Sequence, residues 1–396
     1  MTTRTTPAGT SRKPEARPEP LSVATWLVAV AFLLLACADA RRDVHFGLDS
    51  QLVWQGVRDY LRHRPVDLPY LPSSLLLLAP IGLLPLGALK LLALALTASA
   101  FIVSSCATGR LAGKGSFGTL SATSLIVVSA SGVGRNALLL SNFGLAVQAG
   151  LALTIVLACM GKWRAAAIVF TMACCIKPNI APAGLIFVAA RRWRLVTLIA
   201  AGFAATNLIG ALLLADRARY LQLAAGFAFG RKASSRPGAS LTASDNFAIS
   251  VSGPGLRIPS PAVTSLRVLV VAAAIVCVVR AWRSCGNPMS LAILALAPVL
   301  AIFLAGGLAE THYALAAIPL AGLLILSHDV AVASLAAIGS WLIFYAGRIP
   351  EQISTAERLT IGVLLLLAAS VLAVTRAGAR AAAETPTPSA QHADTP

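Results

Sequence analysis

The chain has 396 residues, of which 57 % are hydrophobic and only 12 % charged, far from the roughly 45–50 % apolar and about 25 % charged content of a soluble domain. A soluble globule is excluded, and so is a disordered chain, the two ends apart. Lys and Arg number 32 against 15 acids, a net charge of +17; in a soluble protein this would suggest nucleic acid, but here it fits the positive-inside rule and anionic lipid.

A spanning helix takes about 20 apolar residues, and the apolar runs are too continuous for the alternating strands of a barrel. The sequence predicts an all-α polytopic membrane protein with about twelve crossings. Residues 1–20 are Pro-rich, carry Arg4, Arg12, Lys13 and Arg17, and read as a disordered cytoplasmic tail. The run 21–38 is longer than a signal-peptide core and reads as an uncleaved signal anchor. Its end, Leu34-Leu35-Ala36-Cys37, resembles a lipoprotein cleavage box, so cleavage is the alternative. Residues 39–70 form a polar first outer loop, in which Val53, Val57 and Leu61 have the spacing of an interfacial amphipathic helix.

Pro80, Pro85 and Gly87 divide the next apolar stretch into a short re-entrant half-helix at 72–84 and a span at 87–108. Spans follow at 117–134 and 137–160. Only a hairpin of two short helices fits between Lys162-Trp163-Arg164 and Arg191-Arg192-Trp193-Arg194, because both clusters favour the cytoplasm; its tip is Lys177-Pro178. A span at 195–214 leads to a second outer loop, 216–261. The last spans are 262–279, 288–308, 312–327, 330–346 and 358–375, before a disordered tail at 376–396. Residues 21–375 thus make one transmembrane domain in the plasma membrane with both termini cytoplasmic. The short inner loops carry nine Lys or Arg (110, 114, 162, 164, 191, 192, 194, 280, 283) against Asp329 alone. The seven cysteines lie in or beside apolar runs without ligand spacing, which indicates neither a disulfide framework nor a metal site.

Ionisable groups at membrane depth are costly and usually functional. Lys177, at the hairpin tip, and Lys90, at the start of a span, would each place an ammonium at the outer interface, where it suits a phosphate or snorkels to lipid headgroups. Asp49, beyond the first span, is either a general base with a raised pKa or an ordinary loop acid opening a helix. Glu310, His312 and Tyr313 cluster at an outer boundary, where they would bind sugar hydroxyls or belt the interface. Arg135 and Asn142 bracket another outer turn, and Asp245-Asn246 in the second outer loop is the weakest candidate. No nucleotide loop or Ser/His/Asp pattern is present.

Five segments in order carry a family resemblance: Asp49-x-x-x-Val53-Trp54; Tyr70-Leu71-Pro72 followed by LLLLAPIGLLPLGALKLL; Ser141-Asn142-Phe143-Gly144; CCIKPNIAPAGLIFVAARRWR; and Glu310-Thr311-His312-Tyr313 with Pro319. Over about 43–348 the chain resembles the polyprenyl-phosphate-sugar-dependent glycosyltransferases of family 87, which have the GT-C fold. Within that family its spacing is most similar to the actinobacterial arabinofuranosyltransferases that branch cell-wall arabinan, with the lipoglycan α-mannosyltransferases near. The resemblance implies a catalytic first outer loop with Asp49 as base. It places Lys90 and Lys177, with Arg135 beside them, near the lipid phosphate, and Tyr70, Asn142, Glu310, His312 and Tyr313 near sugar or acceptor. It implies transfer of an arabinofuranosyl or hexosyl unit from a polyprenyl monophosphate to a cell-envelope glycan or glycolipid on the outer face, with inversion. It implies no metal or cofactor, and no partners beyond the donor, the acceptor and membrane lipids. Two departures stand out. The family's Tyr-Pro-Pro is Tyr70-Leu71-Pro72 here, and Gly144 stands where a second Asn is common. A polytopic transporter or lipid flippase, or an inactive paralogue, is the alternative reading.

Overall fold

The computed structural model describes residues 20–68, 70–228, 260–305, 311–345 and 355–383. All regular structure among them is helical. The first apolar run forms α1 (Pro20–Arg42), and the amphipathic segment of the first loop forms α2 (Leu48–Leu61). Helix α3 (Pro72–Leu78) passes into a 3₁₀ turn (Ala79–Leu83), which makes the short half-helix expected before α4 (Leu86–Leu111). Next come α5 (Thr119–Ala130), α6 (Gly132–Leu140), α7 (Gly144–Cys159) and α8 (Trp163–Ile176). A 3₁₀ segment (Pro178–Gly184) and the short α9 (Leu185–Ala189) complete the broken hairpin. Helices α10 (Trp193–Leu212), α11 (Arg217–Ala228), α12 (Ser260–Trp282) and α13 (Pro288–Ala305) follow. A 3₁₀ segment (Thr311–Ala317) leads into α14 (Ile318–Ile325), and α15 (Val330–Phe344) and α16 (Thr355–Ala383) end the described chain.

Six helices among the described residues are long and apolar enough to cross a membrane, or seven if the bent pair α5–α6 is one span. The remaining apolar helices are shorter. The expected span 137–160 is corrected: α6 stands at 71° to α5, and α7 begins only at Gly144. The break is local chemistry. The Ser131 hydroxyl accepts the Gly134 N–H and starts a new helix, and Ser141 takes a left-handed φ of 51° that ends it. The segment 312–327 likewise starts as a 3₁₀ turn, and the second outer loop opens with α11. The last helix runs through Ala383, past the expected end at 375, because Arg376 hydrogen-bonds the Asp329 carboxylate and the Ala-rich segment favours helix. The N-terminal tail at 1–19, most of the second outer loop with Asp245-Asn246, Glu310 and the chain after Ala383 lie outside the described residues.

Helix α13 is apolar on every side and mostly buried, as expected of a helix surrounded by others. It packs against α12, α16, α7 and the 3₁₀ segment after Lys177, and forms the axis of the main core. A second, smaller core lies beside it: Val53, Val57 and Tyr60 of α2 close over Leu75, Leu78, Leu89 and Phe143. The apolar face of α2 therefore meets protein, while Leu48, Leu52 and Leu61 stay exposed. The Trp54 indole N–H, donated to the Leu84 carbonyl at 3.0 Å, ties α2 to the half-helix.

Helices α15 and α16 touch through backbone: a methyl group at Gly339 would stand 2.8 Å from the Gly362 carbonyl oxygen. Gly339→Leu is expected to cost about 1–3 kcal/mol by overpacking, read as a lower unfolding temperature in detergent. Gly87→Ala, with nothing within 4 Å of the added carbon, should leave that temperature unchanged or slightly raised.

Candidate active site

The site forms where the two cores meet, and it is built around Lys177. Pro178 has no N–H and ends α8, so the last carbonyls of that helix need other partners. Two serines from α3 supply them. Ser73 Oγ donates to the Cys175 carbonyl at 2.7 Å, and Ser74 Oγ to that of Ile176 at 2.7 Å. With its backbone held this way, Lys177 turns inward and is only 7 % exposed.

Its ammonium donates to the Tyr313 hydroxyl at 3.0 Å and to Asn142 Oδ1 at 3.5 Å, and lies 4.5 Å from the centre of the Tyr313 ring. The Tyr70 ring is 6.0 Å away. Among the described residues Lys177 forms no ion pair of 4.0 Å or shorter. A buried cation is costly unless compensated. Here two oxygens and two aromatic faces compensate it, and one of its three N–H donors remains for a ligand.

Asn142 links the cation to the carboxylate. It follows Ser141, whose left-handed turn swings the amide away from α6. Its Oδ1 accepts the Gly144 N–H at 2.6 Å, and its Nδ2 donates to Asp49 Oδ2 at 2.8 Å. Asp49 sits in the first turn of α2, behind the left-handed Gly47 (φ 71°) that opens the helix, so it is not the helix cap. The Gly47 N–H donates to the Leu139 carbonyl at 2.8 Å, which fixes the start of α2 against the end of α6. Burial pushes the Asp49 carboxyl above the ordinary carboxylate range, while the Asn142 hydrogen bond and the Lys177 charge pull it partly back.

The stem of Lys90 lies against Gly47: a methyl group there would be 2.7 Å from Lys90 Cγ. Lys90 thus lies against the turn that opens α2, two residues before Asp49 in the chain. His312 is buried, meets the Tyr313 ring edge-on at 4.7 Å, and accepts the Gln148 side-chain N–H on its carbonyl at 3.1 Å. The structure therefore brings together Asp49, Asn142, Lys177, Tyr313 and Tyr70, with Lys90 and His312 at the edges. Arg135 is placed apart from them. It pairs with Asp39 across α6 and α1, and both side chains are exposed.

Several residues with positional roles escaped the sequence reading. Ser73 and Ser74 hold the end of α8, Gln148 holds the His312 segment, and the buried Tyr220 donates its hydroxyl to the Tyr70 carbonyl. Adjacent serines in an otherwise apolar stretch, and one Gln in α7, were the available signals. Gly144 gains a reason: a methyl group there would lie 2.3 Å from Lys177 Nζ. The ammonium occupies the space that a larger residue would take.

A half-buried carboxylate joined through one amide to a buried cation, in a helical membrane protein, has the groups needed to move a proton and to hold an anion. The family model for glycosyltransferase family 87 matches residues 69–306, well over half of the chain, and the protein belongs to that family. It is a membrane glycosyltransferase. The matched segment contains Tyr70, Lys90, Asn142 and Lys177, whereas Asp49 precedes it and Tyr313 follows it. No curated protein matches the chain.

Two substitutions separate the parts of the site. Asn142→Ala removes a hydrogen bond that favours the charged carboxylate, so the apparent pKa of Asp49 should rise further, measured by titration of the labelled carboxyl or by the acidic limb of a pH–rate profile. Gly144→Ala should displace the Lys177 ammonium and weaken binding of an anionic ligand at least tenfold, about 1.4 kcal/mol.

Proposed function

We propose that the protein transfers a sugar from a polyprenyl monophosphate to a hydroxyl of a cell-envelope glycan or glycolipid on the outer face of the membrane, inverting the anomeric carbon. The observation that carries this reading is the Asn142 bridge, which holds a carboxylate and an ammonium side by side without letting them neutralise each other. In the proposed topology the shorter helices complete a GT-C-like bundle of about twelve membrane segments, with both termini cytoplasmic and Asp49 outside.

Asp49 takes the proton of the acceptor hydroxyl as its oxygen attacks the anomeric carbon. The bond from that carbon to the phosphate oxygen breaks, and the leaving phosphate gains negative charge. Lys177 meets that charge with its remaining donor, and Lys90 approaches from the start of α4. Tyr313 and Asn142 fix the ammonium before substrate arrives, so little reorganisation is needed during reaction. Tyr70 and His312 border the space for the sugar. An arabinofuranosyl or a hexosyl donor satisfies this arrangement.

The pH dependence follows from the sign of the Asp49 shift. The active base is the carboxylate, so activity is lost as pH falls through a pKa above the ordinary aspartate range. The folded state holds that proton more tightly than the unfolded chain, so the charged form costs stability at neutral pH. Asp49→Asn, which resembles the protonated form, is expected to lower turnover of a polyprenyl-phosphoryl sugar by about 10²–10⁴-fold while leaving the unfolding temperature equal or higher. Asp43→Asn and Asp59→Asn should retain most activity. A larger loss at Asp43, or near-normal transfer by Asp49→Asn, would overturn the assignment of the base.

A further inference from the structure

The opposite end of α8 carries a second charged site. From Trp163 to Ile176 the helix has 14 residues, so its start lies about 21 Å from the Lys177 turn. A cavity of about 950 Å³ opens there, and five cations line it: Lys162, Arg164, Arg191, Arg192 and Arg194. Trp163 and Trp193 line it too, and Arg192 lies 5.4 Å over the Trp163 ring. No acidic residue is among the lining side chains.

The cavity is built from two copies of one backbone turn. In the first, the Gly161 N–H donates to the Ala158 carbonyl and the Lys162 N–H to that of Leu157; in the second, the Arg191 N–H donates to the Val188 carbonyl and the Arg192 N–H to that of Phe187. Each turn needs a left-handed residue, Gly161 at φ 73° and Arg191 at φ 54°. Each then starts a helix with Trp, and neither α8 nor α10 has a side-chain cap or an acid in its first turn. Both helix starts add positive potential to the same space.

Arg191 is the informative residue. A non-glycine side chain in the left-handed region is strained, and the parallel turn uses glycine. The strained position here holds one more cation in the cavity wall. Leu195 and Leu198 continue that wall onto α10, an apolar helix of which little is buried in the protein. An anion that enters the cavity therefore has an apolar path along α10 beside it.

We propose that this cavity is a binding site for an anionic phospholipid of the leaflet it faces, with the phosphate headgroup among the five cations and the acyl chains along α10. The two tryptophans hold the glycerol level, where aromatic side chains sit in membranes.

The test uses the full chain in nanodiscs that mix phosphatidylglycerol with phosphatidylcholine, followed by native mass spectrometry of the retained lipid. Wild type should retain phosphatidylglycerol in preference. Arg192→Gln with Arg194→Gln removes two exposed cations and should lower that preference roughly thirtyfold. Arg191→Gly removes one cation, so it should lower the preference about fivefold, and it relieves the backbone strain, so the unfolding temperature should stay equal or rise. Arg110→Gln with Lys114→Gln, exposed cations outside the cavity, should change nothing. Equal loss in that control would mean diffuse attraction to a charged leaflet, and would overturn the site. Displacement of the lipid by soluble glycerol phosphate would assign the cavity to a free anion and overturn the lipid. Unchanged preference in Arg191→Gly would overturn the role given to the strained arginine.

Discussion

The arrangement depends on keeping one ammonium buried without a carboxylate against it. In a membrane protein that is expensive, and much of the surrounding structure offsets the cost. Tyr313 supplies an oxygen and a ring face, Asn142 supplies a second oxygen, and Gly144 leaves the space. A direct Asp49–Lys177 pair would be cheaper. It would also neutralise both groups and leave neither base nor anion site. The Asn142 amide resolves this by facing the carboxylate with its nitrogen and the ammonium with its oxygen.

The helix breaks serve the same end. The left-handed Ser141 presents Asn142, Pro178 frees the backbone that the two serines of α3 then hold, and the 3₁₀ turn at Thr311–Ala317 delivers Tyr313. Irregular backbone at membrane depth is tolerated where protein buries it or a cavity receives it. Here three such interruptions converge on one point. The regular helices around α13 supply the rigid frame, and the smaller core under α2 positions the first loop against it.

The legible part of the site was its charges and, beside them, Tyr70, Asn142, His312 and Tyr313. In an apolar chain a Lys-Pro dipeptide between two basic clusters is conspicuous, and Asp49 follows the first span. Arg135 shows the limit of that logic: a cation near an outer turn has the same sequence appearance whether it faces a ligand or, as here, pairs with Asp39 on a neighbouring helix. Ser73, Ser74, Gln148 and Tyr220 carry no charge, and their roles depend on partners up to 164 residues away, which no local pattern reports.

Composition and continuous apolar runs determined by themselves that the chain is helical and lies in a membrane, because lipid leaves the backbone no other way to satisfy its hydrogen bonds in such runs. Proline and serine positions determined most of the interruptions, since their effects on the backbone are local. Tertiary structure alone decided that Gly144 must be small and that Asn142 stands between Asp49 and Lys177. These are facts of distance between segments far apart in the chain. Their physical basis is the burial of specific charges, and that burial exists only once the helices have packed.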